Sequence, residues 1–406
     1  MTTTFASPVA TPDRSSPRTG SALRVVVVTS DADLRACVAD WEALLARNPL
    51  HRPSHTPMWL LAWWQIFRAS ERRQLAAGLI YDGSRLVGIA PFLRRLCFHR
   101  RVIPYRRIEF LATGEKQQDE IRSDYLDLVT EPGYEEAALD ALADAWMAGA
   151  LGPFDEIVLS ALDGDLPIWR YAAGALAARG LVIESQALDP APYIRLPNSW
   201  ESYIGTLSGT DRYFVNRSIR DFDRWAGSDL TIERVKSRDD LAKGKQLLMQ
   251  LHEERWQGSG QSGVFASRLF TAFHDVVMPM LLERNALELV WLSVRGEPVA
   301  VLYNLIWQNK TMSYQGGRSM DVPKGVRPGI ILHLRMIRAA IEAGRTEYDF
   351  LSGTSQYKAK LSNASRPVLR IRASRALVRD LATRVLEQGV AYVRERRAKL
   401  RRQAGS

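Results

Sequence analysis

The sequence predicts an α/β (α+β) chain: a tandem pair of similar domains, each a mixed, mostly antiparallel sheet flanked by helices. Three observations predict it. The chain has 406 residues, more than one hydrophobic core usually serves. Two β-hairpin patterns recur, Leu75 to Leu96 around Asp82-Gly83 and Leu287 to Trp307 around Arg295-Gly296. Each is followed by strand, helix and strand. These are Tyr125 to Val129, Tyr134 to Met147 and Glu156 to Leu162 in the first half, and Thr311 to Gly316, Gly329 to Ala343 and Glu347 to Leu351 in the second. The separation is far too long for a solenoid repeat, so either duplication or the coincidence of two common supersecondary runs accounts for it.

The elements read in order as follows. Residues 1–22 are rich in Ser, Thr, Pro and Arg and read as disordered. Leu23 to Thr29 is a β-branched run suited to a buried strand, and Asp31 to Asn48 has helical spacing behind an Asp cap. Pro57 to Ser70, opening on proline and densely aromatic, predicts a buried helix. These begin a first domain over 23–180. A connecting region over 181–240 holds a strand near Tyr193-Ile194-Arg195 and a basic helix from Asp211 to Trp225. A second domain over 241–374 opens with the helical stretch Leu241 to Trp256 and a Gly/Ser-rich loop, Gln257 to Gly263, placed to cover a site.

Apolar residues make up 46% and charged residues 25%, ordinary globular usage. The formal charge of +10 is concentrated: from Asn363 onward there are 12 Arg or Lys and 3 Asp or Glu, so the rest of the chain is nearly neutral. No nucleic-acid partner is expected for the body. Cys37 and Cys97 are the two cysteines, without C-x-x-C spacing, which suits a reducing cytoplasm and predicts no disulfide framework and no metal. No signal peptide and no apolar run of about 18 residues is read.

Strand, glycine-bearing loop and helix is the order that turns backbone N–H groups and a positive helix end toward an anion. In the second half that loop is Met320 to Gly329, where Lys324, Gly325, Val326, Arg327 and Gly329 are the candidate phosphate-binding residues. The first-half counterpart, Glu131 to Glu136, carries three carboxylates that repel a pyrophosphate. There is no Gly-x-Gly-x-x-Gly fingerprint, no P-loop and no Gly-x-Ser-x-Gly.

Asp349-Phe-Leu-Ser-Gly353 followed by Tyr357-Lys358, the helix opening at Gly329, and the hairpin leading to Tyr314-Gln315-Gly316 resemble the BioF2-like acetyltransferase domain of the CelD/BcsL family. His55-Thr-Pro-Met-Trp59, Ile89-Ala-Pro91 and Ser123-Asp-Tyr-Leu-Asp-Leu128 resemble it too, so the likeness spans nearly the whole folded chain. That family belongs to the Gcn5-related N-acetyltransferase (GNAT) superfamily and is related to the FemAB peptidoglycan aminoacyltransferases. The resemblance implies a tandem GNAT-like pair with acetyl-CoA or another acyl-CoA as donor. The acceptor it implies is an amine or hydroxyl of a sugar, polysaccharide precursor or cell-envelope metabolite. The superfamily's pyrophosphate signature, Gln/Arg-x-x-Gly-x-Gly/Ala, is not present in clean form at 321–329, and FemAB-type relatives use aminoacyl-tRNA. A FemAB-like aminoacyl transferase and a non-catalytic component of cellulose-type polysaccharide biosynthesis therefore stand beside the acyl-CoA reading.

The resemblance further implies direct attack of the acceptor on the thioester. Tyr314, Asp349 and Tyr357 are then the catalytic candidates: a phenol near the sulfur, a carboxylate between Tyr348 and Phe350 with a raised pKa, and a second phenol. Tyr314 reads more readily as a strand tyrosine packed on the sheet, and Asp349 equally as a carboxylate in a structural hydrogen bond to a neighbouring loop. Asp124, Tyr125 and Lys358 are candidates for acceptor contact, and His252, Glu253 and Arg255 are alternative acid/base groups. Residues 375–406 pattern as an amphipathic helix with a cationic end, able to rest on an anionic membrane face or an acidic partner, or simply to pack on the body. The expected location is cytoplasmic, peripheral at the inner membrane face if the tail binds lipid.

Overall fold

In the computed structural model, residues 22–99, 103–258, 260 and 262–376 are described, and their strands form three sheets. The expectations for residues 1–21 and for most of the basic tail lie outside the described residues. In the first half, Arg24–Val28, Ala77–Asp82, Arg85–Ala90 and Val129–Thr130 make a four-stranded antiparallel sheet. The hairpin closes at Gly83, whose φ of 60° suits a tight turn. Proline 91 then ends the pairing, and the chain enters a second sheet as Phe92–His99 and Ile103–Phe110. That six-stranded sheet runs in the order Gln74–Leu75, Phe92–His99, Ile103–Phe110, Glu156–Asp163, Val368–Ser374, Val182–Ala187.

The third sheet has seven strands in the order Leu230–Arg234, Leu287–Val294, Glu297–Trp307, Lys310–Arg318, Glu347–Asp349, Ala191–Arg195, Ala364–Arg366. Its central hairpin turns at Arg295 and Gly296, with φ of 53° and 79°, the paired positive values of a type I′ turn. Helix Pro328–Glu342 buries Ile331, Leu334, Ile337 and Ile341 at three- and four-residue spacing, and helix Gly209–Ala226 packs beside it.

Helix Pro57–Phe67 joins the halves. Proline 57 opens it and the Thr56 side chain caps it by accepting from Trp59 N–H. Trp59 meets Phe273 of helix Arg268–Glu283 edge-on at 4.9 Å and Tyr314 of the seven-stranded sheet at 5.7 Å. The two halves therefore share one apolar core.

Four local readings differ. The helix expected over Asp31 to Asn48 is two helices, Asp31–Ala36 and Val38–Arg47, capped by Ser30 and not by Asp31. The strand expected at Tyr125 to Val129 is only Val129–Thr130, because Tyr125 has a φ of 61° and cannot extend a strand. Val368–Ser374, read with the second half, pairs with Glu156–Asp163 of the first and with Val182–Ala187 of the connecting region. Ala191–Arg195, read as connector, pairs with Glu347–Asp349 and Ala364–Arg366. Apolar patterning marks a strand but not its partner.

Candidate active site

Strand Lys310–Arg318 pairs with Glu297–Trp307 along its length, but with Glu347–Asp349 only over Lys310 to Met312. Beyond Met312 the parallel neighbours part and a wedge opens. A register shift at Tyr303/Asn304 leaves Tyr314 as the extra residue of a β-bulge on the wedge's edge. On the other face helix Arg238–Gln257 lies directly on this strand. A Cβ at Gly317 would stand 2.3 Å from the backbone N of His252, so only glycine permits that approach. Gly317→Ala is expected to cost about 1–3 kcal/mol, read by denaturant unfolding, because the obstacle is backbone and cannot swing aside.

The wedge belongs to a cleft of about 1220 Å³ whose remaining walls are the entry of helix Pro328–Glu342, the turn Phe350–Lys358 and the first-half segment around Gln117 to Asp124. Arg327 is the helix N-cap and makes no side-chain cap; Ile330 N–H donates to the Arg327 carbonyl at 3.0 Å, and the amide at Gly329 is not satisfied by a capping side chain. Gly325 turns the chain with a φ of 97°. Arg327 Nη1 donates to the Gly325 carbonyl at 3.1 Å and its guanidinium stacks on Phe214. Arg318 and Arg255 stand on the opposite lip, and burial, with the charge of Arg255 beside it, lowers the Arg318 pKa. An anion between these cations would relieve that repulsion.

The cleft brings together eight of the residues read as site candidates: Tyr314, Tyr357, Lys358, Asp124, Gly325, Val326, Arg327 and Gly329. It leaves out Lys324, Asp349 and Tyr125. Lys324 is exposed on the turn ahead of the helix. Asp349 is fully buried behind the wall. Strand alternation turns it away from Tyr348 and Phe350, into a polar layer between the halves. There it accepts from Tyr125 Oη at 2.8 Å, Leu351 N–H at 2.7 Å and Arg366 Nη1 at 3.1 Å. Burial pushes its carboxyl up to about 6, against the opposing pull of Arg366.

Tyr125 and Leu351 both lie in the left-handed region, with φ of 61° and 58°. Such backbone costs energy in a non-glycine residue and persists only where the surroundings enforce it. Asp349 holds the Leu351 amide and the Tyr125 hydroxyl, so its carboxylate braces the cleft wall and does not itself line the cavity.

In front of that wall, Asp124 accepts from Ser352 twice, from the hydroxyl at 2.7 Å and the amide at 3.1 Å. Lys358 Nζ donates to the carbonyls of Ser352 at 2.9 Å and Leu351 at 3.2 Å. Burial brings the Lys358 ammonium down to about 8, with Asp124 opposing. Tyr314 donates its hydroxyl to the Ile121 carbonyl, tying the bulge to the first half. Tyr357 packs on the His333 ring at 5.1 Å, and burial raises its phenol.

Arg318, His333 and Ser352 are cleft residues that the sequence reading missed. His333 follows Gly329 by four residues, hence on the same helix face, which was a usable signal. His333 and His252, one of the alternative acid/base groups, are both driven by burial to low values, about 3 and about 4. Each is neutral at physiological pH.

Fold and cleft together define a class: a tandem, mixed α/β chain whose cleft lies on the seven-stranded sheet and is closed by the first-half segment around Gln117 to Asp124. Residues 210–359 match the family model described as an acetyltransferase (GNAT) domain. Among solved structures, FemX aligns with a TM-score of 0.55 at 12% identity, over 86% of this chain and 96% of that one. The C-terminal domain of a putative lysylphosphatidylglycerol synthetase from Agrobacterium fabrum aligns at 0.47 and 11%, over 88% and 96%. A tandem GNAT protein from the clavulanic acid biosynthesis pathway aligns at 0.42 and 12%, over 86% and 98%. At such identities the likeness is one of fold. No curated protein matches.

Proposed function

We propose that this chain transfers an acyl group, acetyl foremost, from acyl-CoA to an amine or hydroxyl of a sugar, polysaccharide precursor or cell-envelope metabolite. The observation that carries the donor assignment is the parting of Lys310–Arg318 from Glu347–Asp349 beside a helix entry without a side-chain cap. An extended pantetheine arm can pair with the open strand edge while the pyrophosphate meets the amide at Gly329 and the charge of Arg327. The acceptor enters from the side of Asp124. Its nitrogen or oxygen attacks the thioester carbon, the C–S bond breaks, the acceptor gives up a proton and the thiolate takes one. The motifs shared with the CelD/BcsL family support the saccharide side of the reading, in the cytoplasm.

Thermal-shift titration with coenzyme A, acetyl-CoA and longer acyl-CoAs tests the donor assignment. A ligand about a hundredfold above its dissociation constant should raise the unfolding transition by several degrees. No shift with any of them would sink the assignment. Arg327→Glu should remove the shift while leaving the unliganded transition in place. Unaltered binding in that variant would move the phosphate site elsewhere. The departure of residues 321–329 from the pyrophosphate signature favours a second reading, FemAB-like transfer from aminoacyl-tRNA. Binding of aminoacyl-tRNA without any response to coenzyme A would select it.

A further inference from the structure

Helices Arg238–Gln257 and Arg268–Glu283 enclose a second groove of about 700 Å³, which shares no lining residue with the cleft. Leu241, Lys245 and Met249 line it from the first helix, and His274, Met278 and Pro279 from the second. Their three- and four-residue spacing puts each set on one helix face. The walls are largely apolar, and two methionines give them a surface that adapts to an occupant. From Leu241 to Met249 the wall runs about 12 Å at helix rise, too short for a long aliphatic chain to lie extended.

His274 is wholly buried, and one of its nitrogens is unmatched. Nδ1 lies 3.4 Å from Tyr303 Oη of strand Glu297–Trp307. The phenol has a proton to give, so Nδ1 accepts it and the single proton of the neutral ring sits on Nε2. Burial, with the charge of Lys245 beside it, drives the ring down to about 3 and keeps it neutral. The two ring nitrogens diverge, so with Nδ1 turned to the sheet Nε2 faces the groove that His274 lines. Nε2 has no hydrogen-bond partner among the described residues. A buried donor without an acceptor costs energy, and native interiors rarely leave one.

Lys245 supplies the second polar group. Its ammonium pairs with Asp275, which leaves two of its three protons for other acceptors. A carboxylate is the acceptor that both donors suit: it takes the Nε2 proton, and its charge offsets that of a half-buried lysine. Apolar walls with a few convergent polar groups are what a small-molecule site consists of. We propose that this groove is a second binding site, for an aliphatic monocarboxylate of medium chain length. The carboxylate bridges His274 Nε2 and Lys245 Nζ, and the chain lies against the apolar wall. The imidazole that holds the ligand also packs on Tyr314, the bulge residue at the cleft edge, at 5.1 Å. Groove and cleft therefore share that ring as a wall. This inference does not depend on the acyl donor or on the chemistry of the cleft.

Calorimetric titration of the full chain with octanoate and decanoate at neutral pH, below their micellar range, tests it. One equivalent is expected to bind, and 1-octanol, which has the chain without the charge, should bind about tenfold more weakly or worse. Excess coenzyme A should leave octanoate binding in place. Ala242 is an exposed residue of the groove, and Ala242→Trp should abolish binding by filling it. Lys245→Met and His274→Phe should each weaken it by about tenfold. Ala242→Trp and Lys245→Met alter no fully buried side chain and should keep the parent's thermal unfolding transition, so they carry the test even if His274→Phe does not fold. No binding of either carboxylate, equal binding of 1-octanol, or binding unchanged in Ala242→Trp would overturn the proposal. Displacement of octanoate by coenzyme A would also overturn it, because the carboxylate would then lie in the cleft.

Discussion

Arg366→Met should destabilise the fold by about 3–5 kcal/mol at neutral pH, the cost of leaving buried carboxylates without their cation. Arg366 binds Asp163 at 3.2 Å, Glu347 at 3.1 Å and Asp349 at 3.1 Å, and all four side chains are less than a tenth exposed. Its guanidinium also lies on the Tyr193 ring. Methionine replaces the packing but not the charge. The loss should therefore depend on pH. Asp349 in the folded chain titrates near 6, above an unfolded aspartate, so what it contributes is fully present below the unfolded value and lost as pH rises through 6. Without Arg366, Asp349 and Asp163, already raised by burial, hold protons still more readily, and the penalty should be larger at pH 8 than at pH 5. Urea unfolding at both pH values checks this. A loss equal at the two would mean that packing alone was removed. Arg366→Met with Asp349→Asn should recover part of the loss, since one of the stranded charges is gone.

This network shows why the site was only partly legible in the sequence. The hairpin at Arg295-Gly296 and the helix entry at Pro328-Gly329 are local features, set by turn chemistry and by proline at a first helical position, so they could be read directly. The sheet membership of Ala191–Arg195 and Val368–Ser374 depends on partners more than 150 residues away in the chain, which period-2 patterning does not name. Asp349 illustrates the difference within three residues. Alternation placed it opposite Tyr348 and Phe350, but which face of that short strand borders the cavity depends on where Phe350 and Ser352 turn, and on the first-half loop at Asp124 and Tyr125 behind them. His252 reaches the cleft because Gly317 lets helix Arg238–Gln257 lie on the strand. Glycine at 317 was visible, and the helix it admits was not.

Lys358→Met should lower kcat by about 100- to 1,000-fold in any acyl-transfer assay that the cleft supports, the usual loss when one preorganised donor to a developing anion is removed. Two of the three ammonium protons go to the carbonyls of Leu351 and Ser352, which leaves one for a ligand in the cleft. In the transfer proposed above, negative charge would appear on the carbonyl oxygen and then on the departing sulfur, and a charged Lys358 would lower the energy of either. Because its ammonium titrates near 8, the rate should fall as pH rises through that value, and this limb should vanish in the variant. The stability prediction has the opposite sign. Its folded-state value lies below that of an unfolded lysine, so below pH 8 the buried charge subtracts from stability, and that deficit disappears only above the unfolded value. Methionine removes the deficit, and the melting temperature at pH 7 should hold or rise while activity is lost. That combination marks a residue kept for chemistry at a cost to the fold. A variant that melts lower and keeps its activity would instead make Lys358 a strut for the turn at Ser352 and Gly353, and would return the anion-stabilising role to the amides and cations at the mouth of helix Pro328–Glu342.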